Sequence, residues 1–435
     1  MGALHWWESV KPANSASGID HFEWEMKNFS SDFQLASLEN PESEREGGGG
    51  GRKRRKEGKR GNSEAEEKEE EEIARCEWNF SLATVVSSSS AGTVSDTIGS
   101  IEIDPTDSFV ATGGIARKIR IYSLNNLLPN TASHDEVCFL DHSGACDYYI
   151  CAPAKLSSLR WRPGSGGRVI GSGDYDGVVT EYDLEKKIPV FERDEHGGRR
   201  VWSMDYSHSD PVLGASGSDD GTMQMWDPRY GNGIAVVTPP GRRSVCGVEF
   251  NPFDSSMVAV GCADHKAYGY DIRKMSDPVV VLEGHKKTVS YVRFLDSHTL
   301  VSAGTDGCLK MWDMKDSRVI RTYRGHINSR SFVGLSVRQS GGSGGGVGLL
   351  GCGSEKNEVV VYDTRWGQPI WARAFGTREE VDEAGAFVSS VHWRHTAGAG
   401  GDDECTLLGG GSDGVLQIFV GRRTSCSAAA AASVC

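Results

Sequence analysis

From residue 95 onward the chain runs in short alternating stretches rather than in helical periods. Segments such as VWSMDY (201–206), CGVEF (246–250) and VSYVRF (289–294) put apolar residues at every second position, the period of a strand. Clusters of Gly, Ser and Asp separate them and supply the turns. One phrase recurs, a polar turn followed by alternating apolar residues that end in an aromatic: GDYDGVVTEYD, GSDDGTMQMWD, ADHKAYGYD, GTDGCLKMWD and SEKNEVVVYD are copies, with looser ones at GGIARKIRIY and SDGVLQIF. The closing aromatics are Tyr122, Tyr182, Trp226, Tyr270, Trp312, Tyr362 and Phe419, spaced 60, 44, 44, 42, 50 and 57 residues apart.

Several short strands in each repeat of about 40–45 residues make a unit that buries its faces only against its neighbours. Seven copies predict an all-β fold, a seven-bladed β-propeller over residues 76–424. A ring of blades needs a closure. The stretch Cys76–Leu82 (CEWNFSL) is expected to pair with the blade that ends at Phe419, so that both chain ends share one sheet and its edge is protected.

Composition changes sharply before residue 76. A five-glycine run (Gly47–Gly51) leads into seven Lys/Arg within Arg52–Arg60 and then seven Glu within Glu64–Glu72. Such sequence buries too little apolar area to offset chain entropy, so residues 1–75 are expected to form a disordered tail, and residues 425–435 another. The basic block reads either as a solvated run balanced by the acidic one or as a nuclear-import signal. Import is the reading taken here, with the protein expected in nucleus and cytoplasm. Residues 1–35 carry Trp6, Trp7, Phe22, Trp24, Phe29 and Phe33, which either pack on the body or dock a partner.

A formal charge of −13 argues against nucleic-acid binding, and no apolar run is long enough to span a membrane. The 11 cysteines are scattered singly, without zinc spacing, so neither a disulfide framework nor a metal site is expected. The glycine stretch 339–348 lacks the Lys-Ser/Thr end of a phosphate loop. The G-x-S-x-G matches at Gly341–Gly345 and Gly410–Gly414 sit in a polyglycine loop and a blade turn, not in a strand-to-helix elbow. No enzyme, and no cofactor, is expected.

The repeat resembles the WD40 family over most of the chain. Asp176, Asp220, Asp264 and Asp306 each stand six residues before an aromatic-Asp pair, and Asp413 stands six before Phe419. Upstream histidines occur at His196, His285 and His326. The resemblance implies a buried network of His, Ser, Asp and Trp: His285, Ser302, Asp306 and Trp312 in one blade, His196, Ser216, Asp220 and Trp226 in another. A buried Asp is tolerable only with donors to its oxygens, which makes these histidines structural.

The stretches KLSSLRW (155–161), RRVWSMDY (199–206), EGHKKTVSYVRF and RGHINSRSFVG resemble the WD40 domain of the constitutive photomorphogenic ubiquitin ligase of plants. The chain shows no RING cysteines and no heptads, and ARCEWNFSLATVVSSS with IGSIEIDPTDSFVATGGIARKIRIY is similar to the plant repressors of UV-B photomorphogenesis. The resemblance implies a face that reads Val-Pro peptides with upstream acidic residues, through Lys155, Tyr175, Arg200, Trp202, His265, Lys287 and Phe332. Lys155, Arg200 and Lys287 would take the acidic groups; Tyr175, Trp202 and Phe332 would take the Val-Pro. The competing reading makes Trp202 and Phe332 core aromatics and Lys287 a solvated neighbour of His285. Ser329 departs from the ligase, which has Glu there.

Aromatic-Asp-x-Arg at Trp226–Arg229, Tyr270–Arg273 and Tyr362–Arg365 resembles the motif by which WD40 receptors dock on the cullin-4 ligase adaptor, with Arg229, Arg273 and Arg365 projecting. The alternative is that each Asp and Arg pair locally. The resemblance implies a negative regulator of UV-B signalling. It would bind the C-terminal tail of the UV-B photoreceptor, displace the photomorphogenic E3 ligase and promote receptor re-dimerisation. The other expectation is a cullin-4 substrate receptor for a Val-Pro-bearing photomorphogenesis or flowering transcription factor.

Overall fold

A computed structural model of the protein describes residue 74 and residues 76–88, 96–128, 137–210, 212–230, 233–339, 348–375, 385–394 and 403–424. Apart from Ala74, both expected tails lie outside the described residues, together with the basic block, the aromatic stretch and nearly all of the glycine loop.

The described chain opens with β1 (Trp78–Ser87). Blade 1 holds β2 (Ile98–Ile103), β3 (Phe109–Gly114) and β4 (Lys118–Ser123). An excursion through α1 (Leu124–Leu127), β5 (Cys138–Asp141) and α2 (His142–Ala145) then leads to its fourth strand, β6 (Cys146–Cys151). Blade 2 is β7 (Leu156–Trp161), β8 (Val169–Asp174), β9 (Val179–Asp183) and β10 (Ile188–Arg193). Blade 3 is β11 (Val201–Tyr206), β12 (Gly214–Ser218), β13 (Met223–Trp226) and β14 (Ala235–Val237). Blade 4 is β15 (Val245–Phe250), β16 (Met257–Cys262), β17 (Lys266–Asp271) and β18 (Val280–Glu283). Blade 5 is β19 (Val289–Phe294), β20 (Thr299–Gly304), β21 (Cys308–Asp313) and β22 (Arg318–Tyr323). Blade 6 is β23 (Leu335–Gln339), β24 (Gly348–Ser354), β25 (Glu358–Asp363) and β26 (Pro369–Ala374). The last sheet combines β27 (Val388–Trp393), β28 (Glu404–Gly411) and β29 (Leu416–Arg423) with β1 and β5. The seven-bladed propeller expected from the repeat is therefore present, and the 60-residue spacing from Tyr122 to Tyr182 is the excursion in blade 1.

Position in the blade explains the hydrophobic pattern. Second strands are sandwiched between neighbouring sheets and are buried throughout, as in β8, β12 and β24. Outer strands meet solvent on one side, so Ile188 and Val190 of β10 are exposed. The repeat aromatics Tyr122, Trp226, Tyr270, Trp312, Tyr362 and Phe419 are among the largest fully buried side chains. They plug the gaps between blades, where an aromatic removes the most apolar area from water.

Closure follows the expected pairing and goes further. β1 runs antiparallel to β29, with Trp78 opposite Arg423, Leu82 opposite Phe419 and Val86 opposite Leu416. β5 then adds in parallel, Thr84 opposite Cys138, so the blade 1 excursion reaches back to cover the edge of the last sheet. Glu77, just ahead of β1, is buried and ion-paired to Arg365 of blade 6 and Arg423 of β29. His142 of α2 joins blades 1 and 7, its Nδ1 lying 2.9 Å from the Tyr122 hydroxyl and its Nε2 2.8 Å from the Gly414 carbonyl oxygen.

Six of the seven inner strands begin with a register shift. The residue skipped by the ladder is Gly99, Ser157, Trp202, Cys246, Ser290 or Ser389. A bulge of this kind re-aims the side chain it carries. Five of the six positions hold Gly, Ser or Cys, and only blade 3 puts a large ring there.

Candidate functional site

The inner-strand starts and the turns between second and third strands share one end of the propeller. Lys155, Arg200 and Phe332 occupy similar places on it, each immediately before a buried residue at the start of an inner strand or just ahead of one: Leu156, Val201 and Val333. The adjoining turns are pinned to these positions by backbone bonds. Tyr175 N–H donates to the Lys155 carbonyl at 2.9 Å, and Asp219 N–H to that of Arg200 at 3.0 Å.

This arrangement brings four predicted residues into contact and sets a fifth beside them. The Arg200 guanidinium stacks over Tyr175 at 3.9 Å and over Trp202 at 4.5 Å from the ring centroids. The Lys155 ammonium is 5.9 Å from the Tyr175 ring. Trp202 meets Phe332 with centroids 4.5 Å apart, and Phe332 meets Tyr291 at 6.0 Å. The indole N–H of Trp202 donates to Asp219 Oδ1 at 2.5 Å, which fixes the ring's direction at the bulge. Trp202 and Phe332 are each only partly buried, unlike the repeat aromatics. Beneath them, Trp202 and Tyr291 line the central channel with Glu102, Arg160, Ser203, Arg293 and His392.

Lys287 lies on the same face and donates from Nζ to the Ser329 carbonyl at 3.3 Å, on the loop that carries Phe332. His265 stands apart on the blade 4 turn, exposed and with φ +74°. Blades 2, 3, 5 and 7 place Gly177, Gly221, Gly307 and Gly414 in that left-handed position. Only glycine adopts it without cost, and histidine is among the side chains that tolerate it better than most.

Charge separates the two ends of the propeller. Arg200, Lys287 and Arg330 form no ion pair among the described residues, and Arg200 Nε is buried without a hydrogen-bond acceptor. At the opposite end each arginine of the Asp-x-Arg motifs chelates its own Asp. Arg229 Nε lies 2.9 Å from both Asp227 oxygens, Arg273 Nε 2.8 Å from Asp271 Oδ1, and Arg365 Nε 2.9 Å from Asp363 Oδ1. The hydrogen bonds from Arg273 hold the Asp271 carboxyl down at about 2. Arg229 and Arg273 remain 55% and 74% exposed, whereas Arg365 is 20% exposed and committed to Glu77. Arg365 therefore belongs to the ring closure and does not project as the other two do.

The structural histidines differ in detail. His285 Nε2 lies 2.7 Å from Ser302 Oγ and its Nδ1 3.1 Å from Asp306, while the Trp312 indole N–H donates to Ser302 Oγ at 2.7 Å. Burial acts to raise the Asp306 carboxyl, but the bonds from His285 and the Lys286 amide outweigh it and bring it to about 2. In blade 3, His196 contacts Ser216 at 2.8 Å and Asp220 at 2.7 Å, yet the Trp226 indole N–H has no hydrogen-bond partner among the described residues. Trp226 is instead packed between Phe191 and Tyr206, so ring packing rather than a shared hydroxyl sets its place. In blade 6, His326 Nδ1 lies 2.9 Å from the Tyr362 hydroxyl.

Sequence reasoning missed Tyr291, Asp219 and Glu355, which support the site without belonging to the family motif. For Asp219 and Glu355 the available signal was position, since both open the same turn as Tyr175. Tyr291 stands where Ser100, Ser158 and Ser203 stand in other blades.

Residues 187–227 and 276–313 match the family described as WD domain, G-beta repeat. The chain is 62% identical to the WD repeat-containing protein RUP2 of Arabidopsis thaliana over 76% of its length and 89% of that protein's. It is 57% identical to RUP1 of the same plant, over 81% of this chain and 87% of the relative. The E3 ubiquitin-protein ligase COP1 of Arabidopsis thaliana is 36% identical over 74% of this chain, a region that spans 44% of the ligase. The seven-bladed fold agrees with these likenesses, and the chain belongs to the RUP family of WD40-repeat proteins, the repressors of UV-B photomorphogenesis.

Proposed function

We propose that the chain is a non-enzymatic binding platform that restrains UV-B signalling by capturing the C-terminal tail of the UV-B photoreceptor on the Trp202 face. The captured tail is then closed to the photomorphogenic E3 ligase, and the receptor returns to its dimer. The observation that carries this reading is Trp202: a half-buried indole at a bulge where other blades have Gly, Ser or Cys, flanked by Arg200 and Phe332. A rigid aromatic floor suits Val-Pro, whose fixed φ limits the entropy lost on binding, and Arg200 and Lys287, which form no ion pair among the described residues, suit upstream acidic residues. The likeness to COP1 supports rivalry for one peptide. The test is calorimetric titration of the full chain with a photoreceptor tail peptide containing Val-Pro. Loss of binding in Lys155→Glu and Trp202→Ala, with melting unchanged, is expected; binding that survives both sinks the reading.

A second reading, a substrate receptor of a cullin-4 ligase, is favoured by one observation: Arg229 and Arg273 stay largely exposed at the end opposite the peptide face. It predicts that Arg229→Ala with Arg273→Ala abolishes co-purification with the cullin-4 adaptor and spares tail binding. Retention of the adaptor by that variant would remove it. For localisation, the Arg52–Arg60 block is proposed to drive nuclear import, and an unchanged nuclear fraction of a fluorescent fusion lacking it would refute this.

A further inference from the structure

Phe332 comes to the aromatic cluster from a loop, residues 326–332, rather than from a strand. An apolar ring cannot be fixed by its own hydrogen bonds, as Trp202 is fixed by Asp219, so its place depends on what holds its backbone. Glu355, which follows β24, does this. Its N–H donates to the Ile327 carbonyl at 2.8 Å. Its carboxylate accepts from the Ser329 hydroxyl at 2.6 Å and from the Arg330 and Ser331 amides at 2.7 Å each. Burial would raise this carboxyl, but the three bonds outweigh it and hold it below its ordinary value. Charge-assisted bonds of this kind are the strong ones, and two of them go to the backbone immediately before Phe332. The loop is tied from blade 5 as well, through Lys287 and the Ser329 carbonyl.

We propose that Glu355 is a positioning residue of the peptide site: it pre-orders the loop 329–331 so that Phe332 meets Trp202 before a ligand arrives. The proposal rests on the reading of the Trp202 face as the peptide site. Holding the loop in its bound form removes an ordering cost from binding. Glu355 touches no ligand in this scheme and acts only through Phe332.

A double-mutant cycle with Phe332→Ala tests it, using the full chain and a Val-Pro peptide with upstream acidic residues. Glu355→Gln keeps one acceptor oxygen in place of a carboxylate that serves three donors. It is expected to weaken binding about tenfold in the parent chain and less than about twofold when Phe332 is already Ala, because residues acting through one contact are not additive. Amide exchange at Arg330 and Ser331 should accelerate while that of β24 and β25 stays unchanged. Additive losses, or unchanged exchange at the two amides, overturn the proposal. If Glu355→Gln does not fold, Ser329→Ala removes one of the three donors and enters the same cycle with a smaller expected loss. If Phe332→Ala and Trp202→Ala both bind normally, the peptide-site reading fails and this role falls with it. Loss in those two with none in Glu355→Gln rejects the positioning role alone.

Discussion

Trp202 and Phe332 belong to blades 3 and 6, yet their rings lie 4.5 Å apart at the mouth of the central channel. Two partly exposed aromatics meeting there do not close a core that the propeller needs, since Ser occupies the Trp202 position in blades 2, 5 and 7. Trp202→Ser should therefore leave the melting temperature within a few degrees of the parent and cost at least about tenfold in affinity for a Val-Pro peptide, as loss of a buried aromatic anchor does. Calorimetry with a parallel melt checks both parts. A large drop in melting temperature would return Trp202 to the core.

The two histidine networks should respond unequally to the same substitution. Ser302→Ala strands both the His285 ring and the Trp312 indole, whereas Ser216→Ala strands only His196. At about 1–3 kcal/mol for each buried group left unpaired, Ser302→Ala should destabilise by about twice as much as Ser216→Ala. Chemical denaturation of the two variants decides it, and equal losses would mean that the Trp312 bond contributes nothing.

Glu77 is 5% exposed and sits between Arg365 and Arg423 where the ring closes. Removing the carboxylate takes away the ion pair of Arg423 and leaves Arg365 with Asp363 alone. Glu77→Gln should cost about 3 kcal/mol, the scale of breaking a buried pair. Lys266→Ala, which breaks the exposed pair with Glu283, should stay within about 0.5 kcal/mol. Urea melts separate the two, and a neutral Glu77→Gln would show that strand pairing alone closes the ring.

Burial lowers His326 from 6.5 to about 4. Between those values the unfolded chain binds a proton that the folded chain refuses, so stability rises with pH across this window. The stabilisation is complete above about pH 6.5 and is lost as pH falls toward 4, a span worth about 3 kcal/mol. His142 is lowered by burial as well and acts in the same direction. His326→Gln should flatten the stability profile between pH 6.5 and 4. An unchanged slope would mean that other groups carry it.

How much of this was legible is clearest at particular residues. Tyr122, Trp226 and Trp312 announced their blades because an inter-blade gap demands an aromatic at a fixed distance from a turn, which leaves a period in the sequence. The pairing of the Cys76–Leu82 stretch with the blade that ends at Phe419 was legible for a similar reason: a ring needs a last strand, and this alternating stretch lies directly ahead of blade 1. The cover supplied by β5 was not, because Cys138–Asp141 is a short run inside an irregular excursion. Nor was the fate of Arg365 apparent. Its motif is the same as that of Arg229 and Arg273, and only the proximity of Glu77, some 288 positions earlier, diverts it.

The sequence by itself determined the number of blades, their strands and the place of the closure, because strand period and turn chemistry are local and repeat. It also named, through resemblance, the side chains of one face. The tertiary structure decided which of them meet. Arg200 reaches Tyr175 and Trp202 because neighbouring blades put turn and strand start side by side, and Trp202 reaches Phe332 because a bulge turns it toward the channel mouth. The carboxylate of Glu355 finds three donors on the loop that leads into its blade. These are contacts between residues far apart in the chain, set by the ring's geometry, and no local pattern records them.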